Sequence, residues 1–224
     1  MYVLVNVAMS ADGKLSTRRR EQLGISGDAD FARVDRLRAE ADAVVVGVGT
    51  VLADDPSLVR FDREHRAHVG KSGVPARVVA DSRARTPPDA EVVTGDAPTY
   101  VLTSEAAPAD RRKALVEAGA VVITAGEERV DLPTALDTLE AEADVSDVMV
   151  EGGGELVFSL LAADLVDDLT TFVGPLVVGG RDAPTPADGE GFVEDFARLH
   201  LDGAEYLDGG VVLQWTVEGR GTTE

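Results

Sequence analysis

Residues 147–163, DVMVEGGGELVFSLLAA, read as a buried strand that passes through three consecutive glycines into a helix. An apolar run without alternation, such as Val148–Val150, suits a strand covered on both faces, as in parallel sheets. The same pattern recurs on either side. Tyr2–Met9 (YVLVNVAM) is a strand that leaves through the turn Ser10-Ala-Asp-Gly-Lys14. Asp28–Ala41 sets Phe31, Val34, Leu37 and Ala41 at helical spacing, with Ser26 or Asp28 as N-cap. Ala43–Val46 is a buried strand, followed by Gly47-Val-Gly-Thr50 and a short helix into Asp54-Asp-Pro56. Residues 62–74 are polar and expected to be loop. Arg77–Ala80, Tyr100–Thr103, Val121–Thr124 and Thr170–Val173 are expected strands, with helices over Ala109–Ala118 and Thr134–Ala143. Phe196–Ala204 and Val211–Val217 read as an antiparallel pair. Strands separated by helices imply one α/β domain: a mostly parallel central sheet flanked by helices, with an antiparallel C-terminal strand pair.

Composition narrows the function classes. At 224 residues and 44% hydrophobic the chain can bury a core, and no apolar run approaches a membrane span. MYVLVNVAMSADGK lacks a basic leader and a small-residue cleavage site, so a cytoplasmic protein is expected. Without cysteine there is no disulfide framework and no thiolate metal site, and His65, His68 and His200 do not make a metal cluster. A net charge of −20 opposes binding to nucleic acid or anionic membranes. Only Lys14, Lys71 and Lys113 are lysine, a balance that fits a high-salt cytoplasm. Residues 1–85 carry 14 basic and 12 acidic residues, against 7 and 29 after them, so the arginines concentrate where an anionic small molecule could use them.

Three strand exits could carry chemistry. Gly47-Val-Gly-Thr50-Val-Leu52 begins like a dinucleotide fingerprint but has Leu52 in place of the third glycine, so a plain turn explains it equally well. Glu151-Gly-Gly-Gly-Glu155 would let backbone N–H groups approach a pyrophosphate at a helix N-terminus, a better use of three flexible residues than turning a corner. Ala80-Asp-Ser-Arg83-Ala-Arg85 offers a hydroxyl and two guanidiniums to a phosphate monoester, or else two exposed arginines on a loop.

Taken together, NVAMSADGKLS (6–16), ISGDADFARVDRLRAEADAVVVGVGTVLADDPSLVR (25–60), VVADSRARTP (78–87) and VEGGGELVFSLL (150–161) resemble the riboflavin-pathway reductase family. The resemblance runs in order over about residues 2–180. It implies a dihydrofolate-reductase-like fold, an NADPH cofactor and a homodimer. It also implies reduction of the ribosyl group of 2,5-diamino-6-ribosylamino-4(3H)-pyrimidinone 5′-phosphate, since the chain is similar to the separate archaeal and fungal enzymes and lacks the cysteines of a zinc deaminase. Carried over, the cofactor contacts are Gly24 (with Ile25 or Ser26 beside it), Thr50, Asp54, Ser82, Arg83, and Gly152, Gly153, Gly154, Glu155 and Leu156. Substrate contacts are Gln22, Arg38, Leu58, Arg60 and Glu151. Some relatives have an aromatic residue at Gly24, and the chain is one residue shorter between Leu58 and Arg60 than the bacterial SLxVR pattern. Lys14 and Glu151 are the expected catalytic pair, one supplying and one removing a proton as the ribosylamine ring opens. The bland alternatives are a turn lysine and a carboxylate that only binds ribose hydroxyls. Dihydrofolate reductase itself is disfavoured because nothing around Asp28–Ala41 matches its motifs. A related nicotinamide reductase of another substrate would have no use for converging Arg38 and Arg60. A non-catalytic nucleotide-binding protein would not need Lys14 with Glu151.

The charge alone predicts a salt response. At ~0.1 M ionic strength the Debye length is about 10 Å and neighbouring carboxylates repel, whereas near 1 M it falls to about 3 Å. The melting temperature is therefore expected to rise as KCl goes from about 0.1 M to about 3 M, and a flat or falling thermal-denaturation series excludes the high-salt reading.

Overall fold

The structure, a computed structural model, describes residues 1–21 and 23–219, which form nine strands and six helices. In chain order these are β1 (Tyr2–Ser10), α1 (Asp28–Glu40), β2 (Ala43–Gly47), α2 (Val48–Asp54), α3 (Arg63–His68), β3 (Ala76–Ala80), β4 (Thr99–Thr103) and α4 (Ala109–Glu117). There follow β5 (Val121–Thr124), α5 (Leu132–Ala143), β6 (Asp147–Gly152), α6 (Gly154–Ala162), β7 (Asp168–Gly174), β8 (Arg198–Leu207) and β9 (Gly210–Gly219). They fall into two compact units, Asp35–Met149 with Met1, and Tyr2–Val34 with the chain from Val150 onward.

In the first unit β2, β3, β4 and β5 lie side by side and parallel. Val44, Val46, Val79 and Val101 pack with Val51 and Leu115 on one side of these strands. Val45, Val78 and Leu102 alternate with them and are also buried, which is why the strands are continuous apolar runs and not alternating ones. One expectation fails here. The polar stretch 62–74 contains helix α3, whose N-terminus is capped by the Asp62 carboxylate accepting the His65 N–H at 2.9 Å. The helix is fixed by Arg66, 5% exposed, which donates to the carbonyls of Ala39 and Ala41 at 2.9 and 2.7 Å and of Ser72 and Gly73 at 3.2 Å. A helix held by a buried guanidinium has no apolar periodicity, so pattern reading passes over it. Arg77 on β3 is used the same way, donating to the carbonyls of Glu91, Thr94 and Ala97.

At the N-terminal ends of β2 and β6, Lys71 bridges Asp42 at 2.6 Å and Asp147 at 2.7 Å. Asp42 also accepts the backbone N–H groups of Ser146 and Asp147. Burial opposes ionisation of Asp42, but Lys71 and these N–H groups outweigh it and hold the carboxyl below its ordinary range. Burial likewise opposes the Lys71 charge, and Asp147 and Asp42 outweigh it, so the ammonium titrates above its ordinary value.

The second unit pairs β1 with β7 in parallel, from Leu4↔Asp168 to Ser10↔Gly174. β7 pairs with β9 and β9 with β8, both antiparallel, as the sequence pattern implies for the closing strands. Phe172, Val212 and Ile25 form its buried centre. The expected cap of α1 is corrected. The Asp30 N–H donates to the Asp208 carboxylate at 2.8 Å, and a Cβ on Gly27 would come within 2.6 Å of that side chain. The Ser26 hydroxyl instead donates to the Asp30 carboxylate. Asp30 also holds Arg33, which reaches the Asn6 side chain on β1 at 2.9 Å. Among the described residues no helix is long and apolar enough to cross a membrane.

Lys71→Met leaves two half-buried carboxylates without their cation. The expected loss is about 1–2 kcal/mol, between the values for exposed and buried pairs. A lowered Asp42 pKa stabilises the fold only above the ordinary carboxylate range, and a raised Lys71 pKa only below the ordinary lysine range. The difference between wild type and variant in urea melts should therefore be largest near neutrality and shrink in both acid and alkali.

Candidate functional site

The first turn of α6 is built by the three glycines. Gly152 has φ 145° and Gly153 has φ 91° with ψ 92°, conformations that a side chain strongly disfavours. Gly154 is required for a different reason: a Cβ there would stand 2.5 Å from the Thr185 carbonyl and 2.7 Å from Asp188 Oδ2. Turn geometry and packing thus account for all three, and the economy argument from sequence is not needed. The ligand signal lies in the helix itself. Gly153 is its N-cap and no side chain makes a cap hydrogen bond to it, and the dipole and leading N–H groups of such a helix end favour an anion. Glu155 and Leu156 occupy its first turn, and Glu151 is half-buried at the end of β6.

The turn after β1 is closed on itself and on the segment that follows β7. The Ser10 N–H donates to the Lys14 carbonyl and the Lys14 N–H to Ser10 Oγ, both at 2.9 Å. The Lys14 ammonium, half-buried, donates to the Ala183 carbonyl at 3.3 Å. Asp12 accepts the Ser10 hydroxyl at 2.6 Å and the N–H groups of Val178 and Gly179 at 3.0 and 2.7 Å. The Ser10 hydroxyl and these N–H groups hold its carboxyl down at about 2. Gly24 is exposed, and a Cβ there would meet nothing within 4 Å, so the position has room for a larger side chain. Gln22 lies outside the described residues.

In the other unit, Arg38 and Arg60 do converge. Arg60 Nε donates to Asp35 at 2.8 Å, and Arg38 donates to the Arg60 carbonyl at 3.1 Å and lies 3.9 Å from Asp35. The Arg60 side chain is 70% exposed, able to exchange Asp35 for an incoming anion. Leu58 differs. Its side chain is in the core at 5% exposure and its φ is 55°, so what it can present to a ligand is backbone. Thr50 and Asp54 stand four residues apart on α2, with the Asp54 carboxyl raised above its ordinary pKa by partial burial. Ser82 and Arg83 are already engaged. Ser82 Oγ accepts the Val130 N–H at 3.0 Å, and Arg83 donates to Glu128 at 2.6 Å and the Ala106 carbonyl at 3.3 Å. A phosphate at this turn must displace Glu128. The turn is organised by Asp81, fully buried, which accepts from the Thr86 N–H and hydroxyl.

The profile of the RibD C-terminal domain family matches residues 1–213. The chain belongs to that family. A 2,5-diamino-6-ribosylamino-4(3H)-pyrimidinone 5′-phosphate reductase of Archaeoglobus fulgidus is 47% identical over 196 residues, covering 86% of this chain and 89% of that protein. One from Methanothermobacter thermautotrophicus is 43% identical, covering 97% and 99%. Among solved structures, Acinetobacter baumannii RibD superposes with TM-score 0.79 at 27% identity. That match covers 96% of this chain but 57% of the other, so the chain spans little more than half of it. The riboflavin biosynthesis reductase Rib7 of Saccharomyces cerevisiae shares the fold, with TM-score 0.71 at 20% identity over 96% of this chain and 89% of that one.

Several organising residues escaped sequence reading. Asp35 stands three residues before Arg38 on α1, a legible pairing distance. Asp12 belongs to a turn read only as a turn, and nothing local marks Asp188. Gly153→Ala forces an alanine into the conformation at φ 91°, ψ 92°. It is expected to cost about 1–3 kcal/mol, read from chemical denaturation, and an unchanged midpoint excludes a fixed turn.

Proposed function

We propose that the chain is a nicotinamide-dependent reductase that converts the ribosyl group of 2,5-diamino-6-ribosylamino-4(3H)-pyrimidinone 5′-phosphate to the ribityl group, in riboflavin biosynthesis. The observation that carries this reading is the 43% identity over nearly the whole of both chains to a stand-alone reductase of that name. NADPH is the proposed cofactor: the start of α6 suits a pyrophosphate and, taken by itself, the Ser82–Arg83 turn would suit a 2′-phosphate once Arg83 is released from Glu128. Thr50, Asp54 and Gly24 are proposed as further cofactor contacts on the family resemblance. In the Asp35–Met149 unit, Arg38 and Arg60 would hold the substrate phosphate beside the Leu58 backbone; Glu151 is proposed as a substrate contact on the family resemblance alone.

When bound, the cofactor supplies a hydride. The chain's own residues manage protons. Lys14 donates one to the ribosyl ring oxygen as the C1′–O bond breaks, and Glu151 takes the proton leaving the exocyclic nitrogen as C1′=N forms. Once the imine carbon C1′ is reduced, Glu151 would return its proton to the nitrogen, leaving a ribitylamine. In the folded chain the Ala183 carbonyl already aims the Lys14 ammonium. Exposed Leu199, Leu201 and Tyr206 on β8 support the homodimer, and the −20 charge supports a high-salt habitat.

Absorbance of the reduced cofactor, followed with each pyrimidine phosphate in turn, tests the assignment. Turnover is expected with the 2,5-diamino compound, faster with NADPH than NADH, and no turnover with any pyrimidine phosphate refutes it. Arg60→Ala should raise KM roughly ten- to a hundredfold, as for loss of a charged hydrogen bond to phosphate, while cofactor binding stays within a few-fold. A collapse of cofactor binding would place Arg60 in the other subsite.

A further inference from the structure

The turn that carries Lys14 and the glycine turn that opens α6 are both fastened to one segment, residues 175–188. At its near end the Ala11 N–H donates to the Leu176 carbonyl at 2.8 Å, and Asp12 takes the Val178 and Gly179 N–H groups. In the middle, the Leu15 N–H donates to the Pro184 carbonyl at 2.9 Å and the Lys14 ammonium to the Ala183 carbonyl. At its far end the Asp188 N–H donates to the Gly154 carbonyl at 3.0 Å. The Asp188 carboxylate accepts the Thr185 hydroxyl at 2.5 Å and its N–H at 3.2 Å, folding the segment over Gly154, where no Cβ fits. Beyond Asp188, Gly189 lies against the Phe158 ring of α6: a Cβ on it would come within 2.7 Å of that ring.

We propose that Asp12 and Asp188 are positioning residues, the two anchors of a strap that holds the Lys14 turn and the glycine turn in fixed register. Both carboxylates are engaged by groups of the strap itself. Asp12 acts through the Val178 and Gly179 backbone on the carbonyl that aims Lys14, and Asp188 acts through Thr185 and its own N–H on the first residue of α6. The strap explains why an exposed Asp-Gly turn spends a carboxylate on two backbone groups more than 160 residues away. The catalytic consequence rests on the reading of Lys14 as proton donor and of the glycine turn as cofactor seat.

Amide hydrogen exchange tests the strap without substrate. In Asp12→Ala the Val178 and Gly179 N–H groups lose their acceptor and exchange faster whatever the wider role. A strap requires the N–H groups of Leu15 and Asp188 to accelerate as well, and acceleration confined to 178–179 overturns it. In the intact enzyme, Asp12→Ala and Asp188→Ala should each lower kcat about ten- to a hundredfold, as for a misplaced catalytic group, with substrate KM within a few-fold. Because either change releases the same strap, the double variant should be no more than about threefold slower than the worse single one. Multiplied losses, or a lowered melting temperature with unchanged kcat, overturn the proposal. Asp12→Asn keeps one acceptor oxygen for two N–H groups, so it should recover part of the rate and part of the exchange protection. It also serves if the alanine variant fails to fold, and wild-type exchange and rate in Asp12→Asn would then overturn the proposal. If wild type turns over no pyrimidine phosphate the catalytic reading falls, while the exchange result still decides the strap.

Discussion

A buried guanidinium bonded to backbone carbonyls is what the Asp35–Met149 unit is arranged around. Arg66 gathers the last carbonyls of α1 and those of residues 72 and 73, so one side chain ends a helix, fixes α3 and delivers the chain to β3. A helix C-terminus leaves carbonyls without partners, and a cation there answers both the missing hydrogen bonds and the dipole. Its desolvation, which lowers the arginine's pKa, is partly offset by Asp42, the carboxylate that also holds Lys71. Remove that arrangement and the parallel strands lose the connection that orders them.

This alters what the distribution of charge along the chain means. Arginines crowd residues 1–85, which from sequence suggests an anion site. In the fold Arg66 and Arg77 are buried among carbonyls, Arg33 is bound to Asp30 and Asn6, and Arg83 and Arg85 face Glu128 and Asp81. Part of the concentration is architecture. Arg60, by contrast, is 70% exposed and paired with Asp35. The acidic residues behave in parallel, because Asp12, Asp62, Asp81, Asp131 and Asp208 all accept backbone N–H groups. Carboxylates that neutralise the backbone fold the chain, and the remainder set its response to salt.

The strands were legible because burial on both faces writes itself as Ala43–Val46 or Val148–Val150, and the closing pair because its members sit beside a tight turn. The glycine turn was legible too, though for a reason the sequence does not state: Gly154 is required by a carbonyl thirty-one residues later. What stayed hidden is held by single long-range polar contacts. Helix α3 hangs on Arg66, the cap of α1 on Asp208, and the aim of Lys14 on a carbonyl at residue 183. Such contacts leave no period in the sequence, and each is visible only once the chain has closed. Leu58 shows the converse, a position that resemblance assigns to the ligand and packing assigns to the core.

The Asp208 cap has a consequence for how the molecule is made. The Asp35–Met149 unit is, apart from Met1, one continuous stretch, whereas the other is split around it. On the ribosome the continuous stretch can settle its core while the second half of the split unit is still unsynthesised. β1 must wait for β7, and the first turn of α1 receives its capping carboxylate only when residue 208 has emerged. The earliest residues made are thus among the last to be locked, and a nascent chain stalled before the β8–β9 hairpin leaves the start of α1 uncapped and open to chaperones and proteases.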